Sequence, residues 1–420
     1  MNAPLDTLPV KQTHRPTSAQ EVSQIVADCH SSETPLYPCG GGTSLAFGVP
    51  AKAQGEGLVL TGLNQVVDYP AKDLTITVQA GATLKSVADV LRQEQQQLML
   101  DVPCSDRATL GGILATNWNG HRRYANGTVR DQVIGIEAVD GRGEIFHGGG
   151  RVVKNVAGYD FCKLLVGSMG TLGVITQVTL KVRPIPEASH WLLIPVTSGE
   201  MADQVLDLVS NSQVTPSAVQ LLGGPLWDQD PVLKEAFQSQ KTNSPGASFV
   251  VALLVDGTQA ECNFMRQQLP KELAPMGLRV SELPGDSPLV HSMVHFPDAA
   301  DAPLVLKASV VPSSTVKLVQ AARSLDPSVS ILAQAGNGSV FLRFGQNPSK
   351  GTLSAIQVNL RPIVTACRGS LVVLSGAAAM AEATRLLVWG ATDAPLSLMS
   401  SVKRKFDPKN ILNRGRFVFD

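Results

Sequence analysis

Apolar residues recur at helical spacing in some segments of the chain and form short continuous runs in others. A helix is predicted after a capping box of Ser18 and Glu21, and its apolar face contains Val22, Ile25, Val26 and Cys29. Thr83 begins a second predicted helix. Short apolar runs predict strands at 57–60, 75–80, 133–139 and 174–182. The first 183 residues therefore mix helices and strands.

After the sequence Arg-Pro-Ile-Pro at 183–186, predicted strands alternate with predicted helices. The strands are 191–196, 248–255, 304–311, 330–334, 339–344 and 370–374, and the helices are 201–209, 259–269 and 315–324. Three segments rich in Pro, Ser or Asp are predicted to be surface loops, at 223–231, 241–246 and 283–288. This half of the chain is therefore predicted to form a separate α+β unit.

Three segments combine glycines with hydroxyl side chains in a way that a packed core does not require. Glycine lets the main chain approach a ligand closely, and consecutive amides form a concave nest for a phosphate. We therefore predict a nucleotide site. Its candidate residues in the first segment are Pro38, Cys39, Gly40, Gly41, Gly42, Thr43 and Ser44. Those in the second are Pro103, Ser105, Thr109, Leu110, Gly111, Gly112, Ala115, Thr116 and Asn117, and those in the third are Gly167, Gly170, Thr171, Gly173, Val174 and Ile175.

Two common nucleotide sites do not fit these segments. The sequence contains no G-x-x-x-x-G-K-[S/T] motif, which argues against a P-loop NTPase. The glycines at 167–173 are spaced G-x-x-G-x-x-G and lead from a loop into a strand. A Rossmann site requires the order strand, glycines, helix, so it is also disfavoured.

Composition limits the partners and the compartment. The 420 residues include 35 basic and 35 acidic side chains and no Lys/Arg-rich block, so nothing supports nucleic-acid binding. The N-terminal segment has no apolar signal-peptide core and no apolar span of membrane length follows, so the expected location is cytoplasmic, with membrane contact only through partners. The six cysteines form no C-x-x-C pair, which indicates reduced thiols and excludes a ferredoxin-type cluster. Cys39 and Cys104 are interpreted as small loop-filling side chains.

One pair of histidines has a spacing that could suit a metal. His291 and His295 would share a face if they lie on a helix. Pro288 and Pro297 flank the pair, and no acidic third ligand follows at a recognisable spacing. We therefore predict no metal site.

The glycine-rich segments resemble the FAD-binding half of the p-cresol methylhydroxylase (PCMH) and vanillyl-alcohol oxidase flavoproteins, most closely the branch containing FAD-binding subunits of bacterial glycolate oxidases. The resemblance covers about 34–183 and returns at 403–416, and its matching phrases are 40–44, 108–115, 127–135, 151–160 and 164–176. It implies an α+β fold: a PCMH-type FAD-binding domain of two α+β subdomains at 1–185, an α+β cap at 186–395, and a C-terminal segment at 396–420 that packs back on the FAD domain.

The resemblance also implies the cofactor and how it is held. Relatives that bind the flavin covalently carry a histidine directly after the first glycines, where this chain has Thr43. We therefore expect FAD to be bound without a covalent bond. Asn413 and Arg416, in the C-terminal segment, are two further candidate cofactor-binding residues.

The chain departs from its catalytic relatives at one turn. Those relatives carry histidines on either side of a Gly-Asp-Gly or Gly-Asn-Gly turn, as base and metal ligands. Here Gln334 and Ser339 flank the turn at 336–338, and a neutral amide cannot take a proton. No catalytic residue is assigned; Lys307 and Arg343 are the candidates.

By resemblance, the chain is expected to be an FAD-binding subunit of a glycolate oxidase-like complex that converts a small 2-hydroxy acid to a 2-oxo acid. Its expected partners are a larger FAD-containing subunit with the intact histidines and an iron–sulfur subunit. Two alternatives stay open: a self-sufficient FAD-dependent 2-hydroxyacid dehydrogenase with an unusual base, and a structural subunit that FAD merely braces.

Overall fold

The computed structural model describes residues 5, 7–150, 158–238, 249–298, 302–346, 350–376, 385–390 and 396–418. The predicted loop at 241–246 and most of the matching phrase at 151–160 lie outside these residues. No helix of the described part is both long and apolar enough to cross a membrane.

Among the described residues, the N-terminal part contains ten strands and six α-helices. The strands are β1 Val10–His14, β2 Leu36–Cys39, β3 Gly55–Val59, β4 Val66–Asp68, β5 Thr75–Gln79, β6 Gln96–Gln97, β7 Val133–Val139, β8 Ile145–Gly149, β9 Val174–Lys181 and β10 Arg183–Pro184. The helices are α1 Ala19–Ser32, α2 Leu84–Arg92, α3 Leu110–Thr116, α4 Arg123–Asn126, α5 Val129–Gln132 and α6 Phe161–Leu165. Ser18 and Thr83 cap α1 and α2 with their side chains, as the sequence predicts.

Two sheets organise this part of the chain. Strands β1, β3 and β2 form a parallel sheet in that order, and β4, β5, β9, β7 and β8 form an antiparallel sheet. The small pair β10–β6 stands apart. Each of the two main sheets has its own apolar cluster, so the N-terminal part is built as two α+β layers.

The remaining strands form an eight-stranded sheet. They are β11 Ala188–Val196, β12 Ala218–Gly223, β13 Phe249–Gly257, β14 Ser281–Pro284, β15 Leu304–Ser309, β16 Ser330–Gln334, β17 Ser339–Phe344 and β18 Ser370–Ser375. Their order is β14-β11-β13-β12-β16-β17-β15-β18, and every pairing is antiparallel. The helices are α7 Gly199–Ser210, α8 Pro225–Gln229, α9 Pro231–Gln238, α10 Gln259–Leu273, α11 Pro288–His295, α12 Thr315–Leu325, α13 Lys350–Asn359, α14 Arg361–Ala366, α15 Arg385–Trp389 and α16 Leu396–Phe406.

The two faces of this sheet have different neighbours. Residues of α7, α10 and α12 pack on one face in the largest apolar cluster. The opposite face packs against α8 and α11, and against Phe47 and Trp118 from the N-terminal part. The second face is therefore the one that meets the glycine-rich segments.

Three predictions for the elements were wrong. The segment 223–231, predicted to be a loop, contains α8, whose Trp227 is buried and donates a hydrogen bond to the carbonyl of Ile331 at 2.7 Å. The segment 283–288 is not a continuous loop, because β14 ends within it and α11 begins there. Residues 110–116, taken as part of a glycine loop, form α3.

The C-terminal residues contact the N-terminal part through the main chain and a buried ion pair. The Leu36 amide donates to the Ile411 carbonyl at 2.8 Å, and the Asn413 amide donates to the Leu36 carbonyl at 2.9 Å. Lys403 Nζ, almost fully buried, donates to Asp407 Oδ2 at 2.6 Å and to the carbonyls of Thr171 and Leu412. These bonds satisfy the buried charges and anchor the segment. The domain boundaries themselves stay a prediction.

Candidate functional site

A cavity of about 730 Å³, including its opening to solvent, lies where the three glycine-rich segments meet. The candidate residues that line it are Pro38, Cys39, Gly40, Gly41, Gly42, Thr43, Ser44, Thr109, Gly111, Gly112, Ala115, Thr116, Gly170, Gly173, Val174, Ile175, Asn413 and Arg416. We call it the first cavity. Segments about 370 residues apart in sequence thus converge on one site.

A larger cavity of about 1530 Å³, again including its opening to solvent, continues from the first. The two share Gly42, Thr43, Ser44, Thr116 and Arg416 in their walls. The far wall of this second cavity includes residues of the cap, namely Pro297, Asp298, Leu374, Ser375 and Gly376. The joined cavities can therefore hold an elongated ligand that runs from the glycine-rich segments toward the cap sheet.

The glycines of the first segment serve the packing of two loops against each other. A Cβ on Gly40 would lie 1.9 Å from Thr109 Oγ1, and a Cβ on Gly41 would lie 1.8 Å from the Arg107 carbonyl oxygen. By contrast, the only atom near a Cβ on Gly112 would be Thr109 Oγ1, at 3.3 Å. Gly40 and Gly41 thus allow the loops to meet, whereas Gly112 faces open space in the cavity wall.

Two C-terminal side chains bring unpaired polar atoms to the first cavity. Asn413 Nδ2 donates to the Met169 carbonyl at 2.6 Å, but Asn413 Oδ1 is buried and has no partner among the residues that the structure describes. Arg416 Nη2 donates to the carbonyls of Leu45 and Phe47, while its Nε is buried and likewise has no partner in the described part of the chain. Burial lowers the pKa of Arg416. A buried cation with a free N–H fits an anionic ligand such as a phosphate or a flavin oxygen.

A small chamber of mixed lining lies beside the second cavity, between the cap and the N-terminal part. Its volume is about 310 Å³ including open solvent, and its polar lining includes Gln220 and Gln334 from the sheet and His121 from the N-terminal part, beside apolar residues such as Trp118 and Phe341. Gln220 is buried and neither amide atom has a hydrogen-bond partner among the described residues. Gln334 accepts a long hydrogen bond from Asn337 Nδ2, 3.5 Å away. The turn that carries histidines in catalytic relatives is therefore lined here by neutral amides.

Lys307 and Arg343 lie on neighbouring strands of the same sheet face. Lys307 pairs with Phe341 across β15 and β17, and its Nζ lies 5.8 Å from the centre of the Phe341 ring. Burial, reinforced by the charge of Arg123, lowers the pKa of Lys307 to about 8. Neither Lys307 nor Arg343 lines the first or second cavity.

The arginines near the second glycine-rich segment have protein partners. Arg122 pairs with the buried Asp101 at 2.6 Å, and Arg123 donates to Ser339 Oγ at 3.1 Å. Burial alone would raise the pKa of Asp101, but the Arg122 guanidinium and His121 hold it well below its usual range. His121 packs on Trp191, with ring centres 5.4 Å apart. These residues join the N-terminal part to the cap rather than reach the first cavity.

The family of the N-terminal part follows from comparison with known proteins. Residues 10–149 match the family model of an FAD-binding domain. This part of the chain is an FAD-binding domain. FAD is therefore the cofactor. The joined cavities fit an elongated anionic dinucleotide of this kind, and Arg416 and Asn413 of the C-terminal segment lie in their walls.

Curated relatives fall in one functional group. The chain is 32% identical over 210 residues to glycolate oxidase subunit GlcD of Bacillus subtilis, covering 50% of this chain and 45% of that protein. It is 34% identical over 189 residues to glycolate oxidase subunit GlcE of Escherichia coli, covering 45% and 52%. D-lactate dehydrogenase of Archaeoglobus fulgidus is 27% identical over 422 residues, covering 96% and 90%. The chain spans about half the length, or less, of the first curated relatives it matches.

Solved structures share the whole fold. Alkyldihydroxyacetonephosphate synthase matches with a TM-score of 0.73 at 19% identity, covering 96% of this chain and 77% of that one. p-Cresol methylhydroxylase with substrate bound matches with a TM-score of 0.69 at 14% identity, covering 99% and 91%. The predicted α+β fold with a PCMH-type FAD-binding domain is confirmed.

The candidate FAD residues divide into two groups. Most line the first cavity, and Pro103 lines the second. Ser105, Leu110, Asn117, Gly167 and Thr171 line neither. Leu110 and Thr171 are buried, and Thr171 Oγ1 donates to the Ser168 carbonyl. The individual roles in FAD binding stay predictions.

Sequence reasoning missed apolar residues of both cavities. Leu45, Leu60 and Met169 line the first cavity, and Phe47 and Trp118 line the second. Leu45 and Phe47 directly follow the first glycine-rich segment, so extending that segment by three residues would have included them. Met169 stands between Gly167 and Gly170 and has a left-handed backbone, which the glycine spacing alone could have indicated.

Proposed function

We propose that this chain is the FAD-binding subunit of a complex that oxidises glycolate or a related 2-hydroxy acid to the 2-oxo acid. The observation that carries the proposal is the pair of joined cavities, which connects the FAD-binding segments to a wall formed by residues of the cap. The relatives named as glycolate oxidase subunits support the substrate class.

The chain's own residues divide the work between binding and positioning. The glycine-rich segments and Arg416 bind the anionic part of the cofactor, which, when bound, supplies the electron acceptor for the reaction. Phe47, Trp118 and Leu374 shield the second cavity with apolar surface. Lys307 supplies a cation on the cap sheet, outside both cavities.

Among the described residues of the cap, no side chain at the turn next to β16 readily accepts a proton, and the His121 ring in the adjacent chamber comes from the N-terminal part. Gln334 and Gln220 are neutral amides, and Ser339 Oγ accepts a hydrogen bond from Arg123. This composition supports dependence on partners: a larger FAD-containing subunit that carries the base, and an iron–sulfur subunit that passes electrons onward.

A self-sufficient dehydrogenase is the second candidate. The D-lactate dehydrogenase of Archaeoglobus fulgidus aligns with nearly the whole of this chain, which favours a single-chain enzyme more than the half-length matches do. The two candidates differ in whether this chain oxidises substrate without other subunits.

Reconstitution tests the proposed function. Co-expression with the products of adjacent genes is expected to give a complex that reduces an acceptor dye with glycolate or D-lactate, and omission of this chain is expected to abolish that reduction. Partner subunits that keep full activity without this chain would contradict the proposal. Loading this chain with a redox-inactive flavin analogue before assembly of the complex separates a redox role from a bracing role. A complex in which the flavin only braces this chain keeps its activity with the analogue, whereas a complex that needs this flavin's redox chemistry loses it.

FAD is expected to leave the protein on denaturation. The residue after the first glycines is Thr43, whose hydroxyl does not form the covalent flavin link that a histidine forms in covalent relatives. Acid precipitation of the purified yellow protein should leave the flavin absorbance in the supernatant, at one FAD per chain. Flavin that stays with the precipitated polypeptide would contradict non-covalent binding.

A further inference from the structure

Three metal-ligating side chains meet at the border between the FAD-binding part and the cap. The Sγ of Cys104, a ring nitrogen of His295 and a carboxylate oxygen of Asp298 all lie within 4.8 Å of one another. Cys104 Sγ donates to Asp298 Oδ2 at 2.9 Å, although the two residues are 194 positions apart. A sulfur, a nitrogen and an oxygen donor thus converge from two separate parts of the chain.

The backbone holds both sides of this cluster. Cys104 has a φ of 52°, in the left-handed region, and its carbonyl accepts hydrogen bonds from the amides of Arg107 and Ala108 at 2.8 and 2.7 Å. His295 ends α11, and the Asp298 amide donates to its carbonyl at 3.0 Å. Two tight turns therefore fix the positions from which the three side chains project.

The donor set selects the kind of ion. Thiolate and imidazole suit Zn²⁺ and similar transition metals, whereas Mg²⁺ and Ca²⁺ require oxygen ligands. Three protein ligands leave one tetrahedral position for water. A Cys104 thiolate and the Asp298 carboxylate together carry the two negative charges that balance a divalent ion.

The surroundings are compatible with a bound cation. Arg107 is exposed, and its Nη2 lies 3.4 Å from Cys104 Sγ, from which it can donate to a metal-bound sulfur without occupying a ligand position. Cys104 Sγ donates a hydrogen bond to Asp298 Oδ2, so the sulfur carries a thiol proton in this structure. Metal binding forms a metal–sulfur bond and releases that proton to solvent.

We propose that Cys104, His295 and Asp298 bind one Zn²⁺-class ion between the FAD-binding part and the cap. The ion lies at the wall of the second cavity, because Asp298 lines that cavity. It ties the loop before α3 to the end of α11. The proposal does not depend on the identity of the substrate.

Cobalt titration of the FAD-loaded full-length chain tests the site. After chelator treatment, Co²⁺ is expected to bind at one ion per chain. It should give ligand-field bands to the red of the oxidised flavin and a thiolate-to-cobalt charge-transfer band in the difference spectrum, and both should disappear on addition of Zn²⁺. A wild-type chain without the charge-transfer band overturns the proposal.

Variants assign the ligands. Cys104→Ser should remove the charge-transfer band, and His295→Ala and Asp298→Asn should each weaken Co²⁺ binding by about a hundredfold or more, since even second-layer partners of ligands contribute up to about that factor. His291→Ala is the matched control, because its ring lies 4.2 Å from that of His295 but outside the three ligands. Retained FAD reports folding of each variant. A band that survives Cys104→Ser, unchanged affinity in His295→Ala, or loss of binding in His291→Ala overturns the assignment.

Discussion

Replacing Gly112 with leucine is expected to abolish FAD retention. Gly112 lies on α3 in the wall of the first cavity, and the nearest atom to an added Cβ would be Thr109 Oγ1 at 3.3 Å. A leucine there has no backbone to displace, so its side chain extends into the space that the cofactor needs. Leucine also has a higher helix propensity than glycine, so α3 itself is not weakened. The measurement is the ratio of flavin to protein absorbance after gel filtration.

Two controls separate blocked binding from misfolding. Gly345→Leu makes the same chemical change in the cap where an added Cβ meets no atom within 4 Å, and His291→Ala changes a side chain that lines neither cavity. Both should keep one FAD per chain. A Gly112→Leu protein with its full complement of FAD, beside a His291→Ala protein without it, would mean that the cofactor site lies elsewhere.

Bulky substitutions of Gly41 and Gly170 should also release FAD, but for reasons that are less specific. A side chain on Gly41 would push on the Arg107 backbone, and Gly170 has a φ of 65°, which a side chain strains. Both changes deform the loops as well as the cavity. Substitution of Gly112 therefore tests whether FAD occupies the first cavity, without deforming the loops around it.

The elements of the fold could be predicted wherever apolar residues form a clear pattern. β7, β16 and β17 begin and end at the predicted residues, because in each a largely apolar run meets a polar or glycine residue at either end. The failure at α8 has a different cause. Its proline and aspartate resemble a turn, and the helix is held by the burial of Trp227 against β16, a contact distant in sequence.

The candidate site could be predicted as three segments but not as an arrangement. Glycine spacing predicted the three segments that line the first cavity, yet it could not distinguish Gly41, which packs on Arg107, from Gly112, which faces the cavity. The proximity of Cys104 to His295 and Asp298 could not be predicted from the sequence either, because no local spacing indicates a contact between residues 194 positions apart. Local sequence therefore predicts backbone conformation, whereas the relative positions of side chains in a site depend on packing between segments that are distant in sequence.

The isolated, FAD-loaded chain is expected to oxidise glycolate or D-lactate very slowly or not at all. The turn beside β16 holds Gln334, a neutral amide, where catalytic relatives hold a base. Loss of a positioned general base typically lowers the rate on the order of a hundred- to ten-thousandfold. The measurement is anaerobic mixing with excess 2-hydroxy acid while the flavin absorbance is followed. Reduction by dithionite in the same cell is the control that the flavin itself is competent.

Adding the partner subunits to the same sample should restore rapid bleaching, because the proposed complex supplies the missing base from the larger subunit. If Lys307, whose pKa is lowered to about 8, acts as an unusual base instead, the chain alone bleaches rapidly and Lys307→Met removes that rate. Rapid and complete bleaching by the isolated chain would thus replace partner dependence with a self-sufficient dehydrogenase. If the isolated chain bleaches slowly and the complex bleaches rapidly, the proton transfer is assigned to the partner subunit. The cavities of this chain are then assigned to binding the flavin.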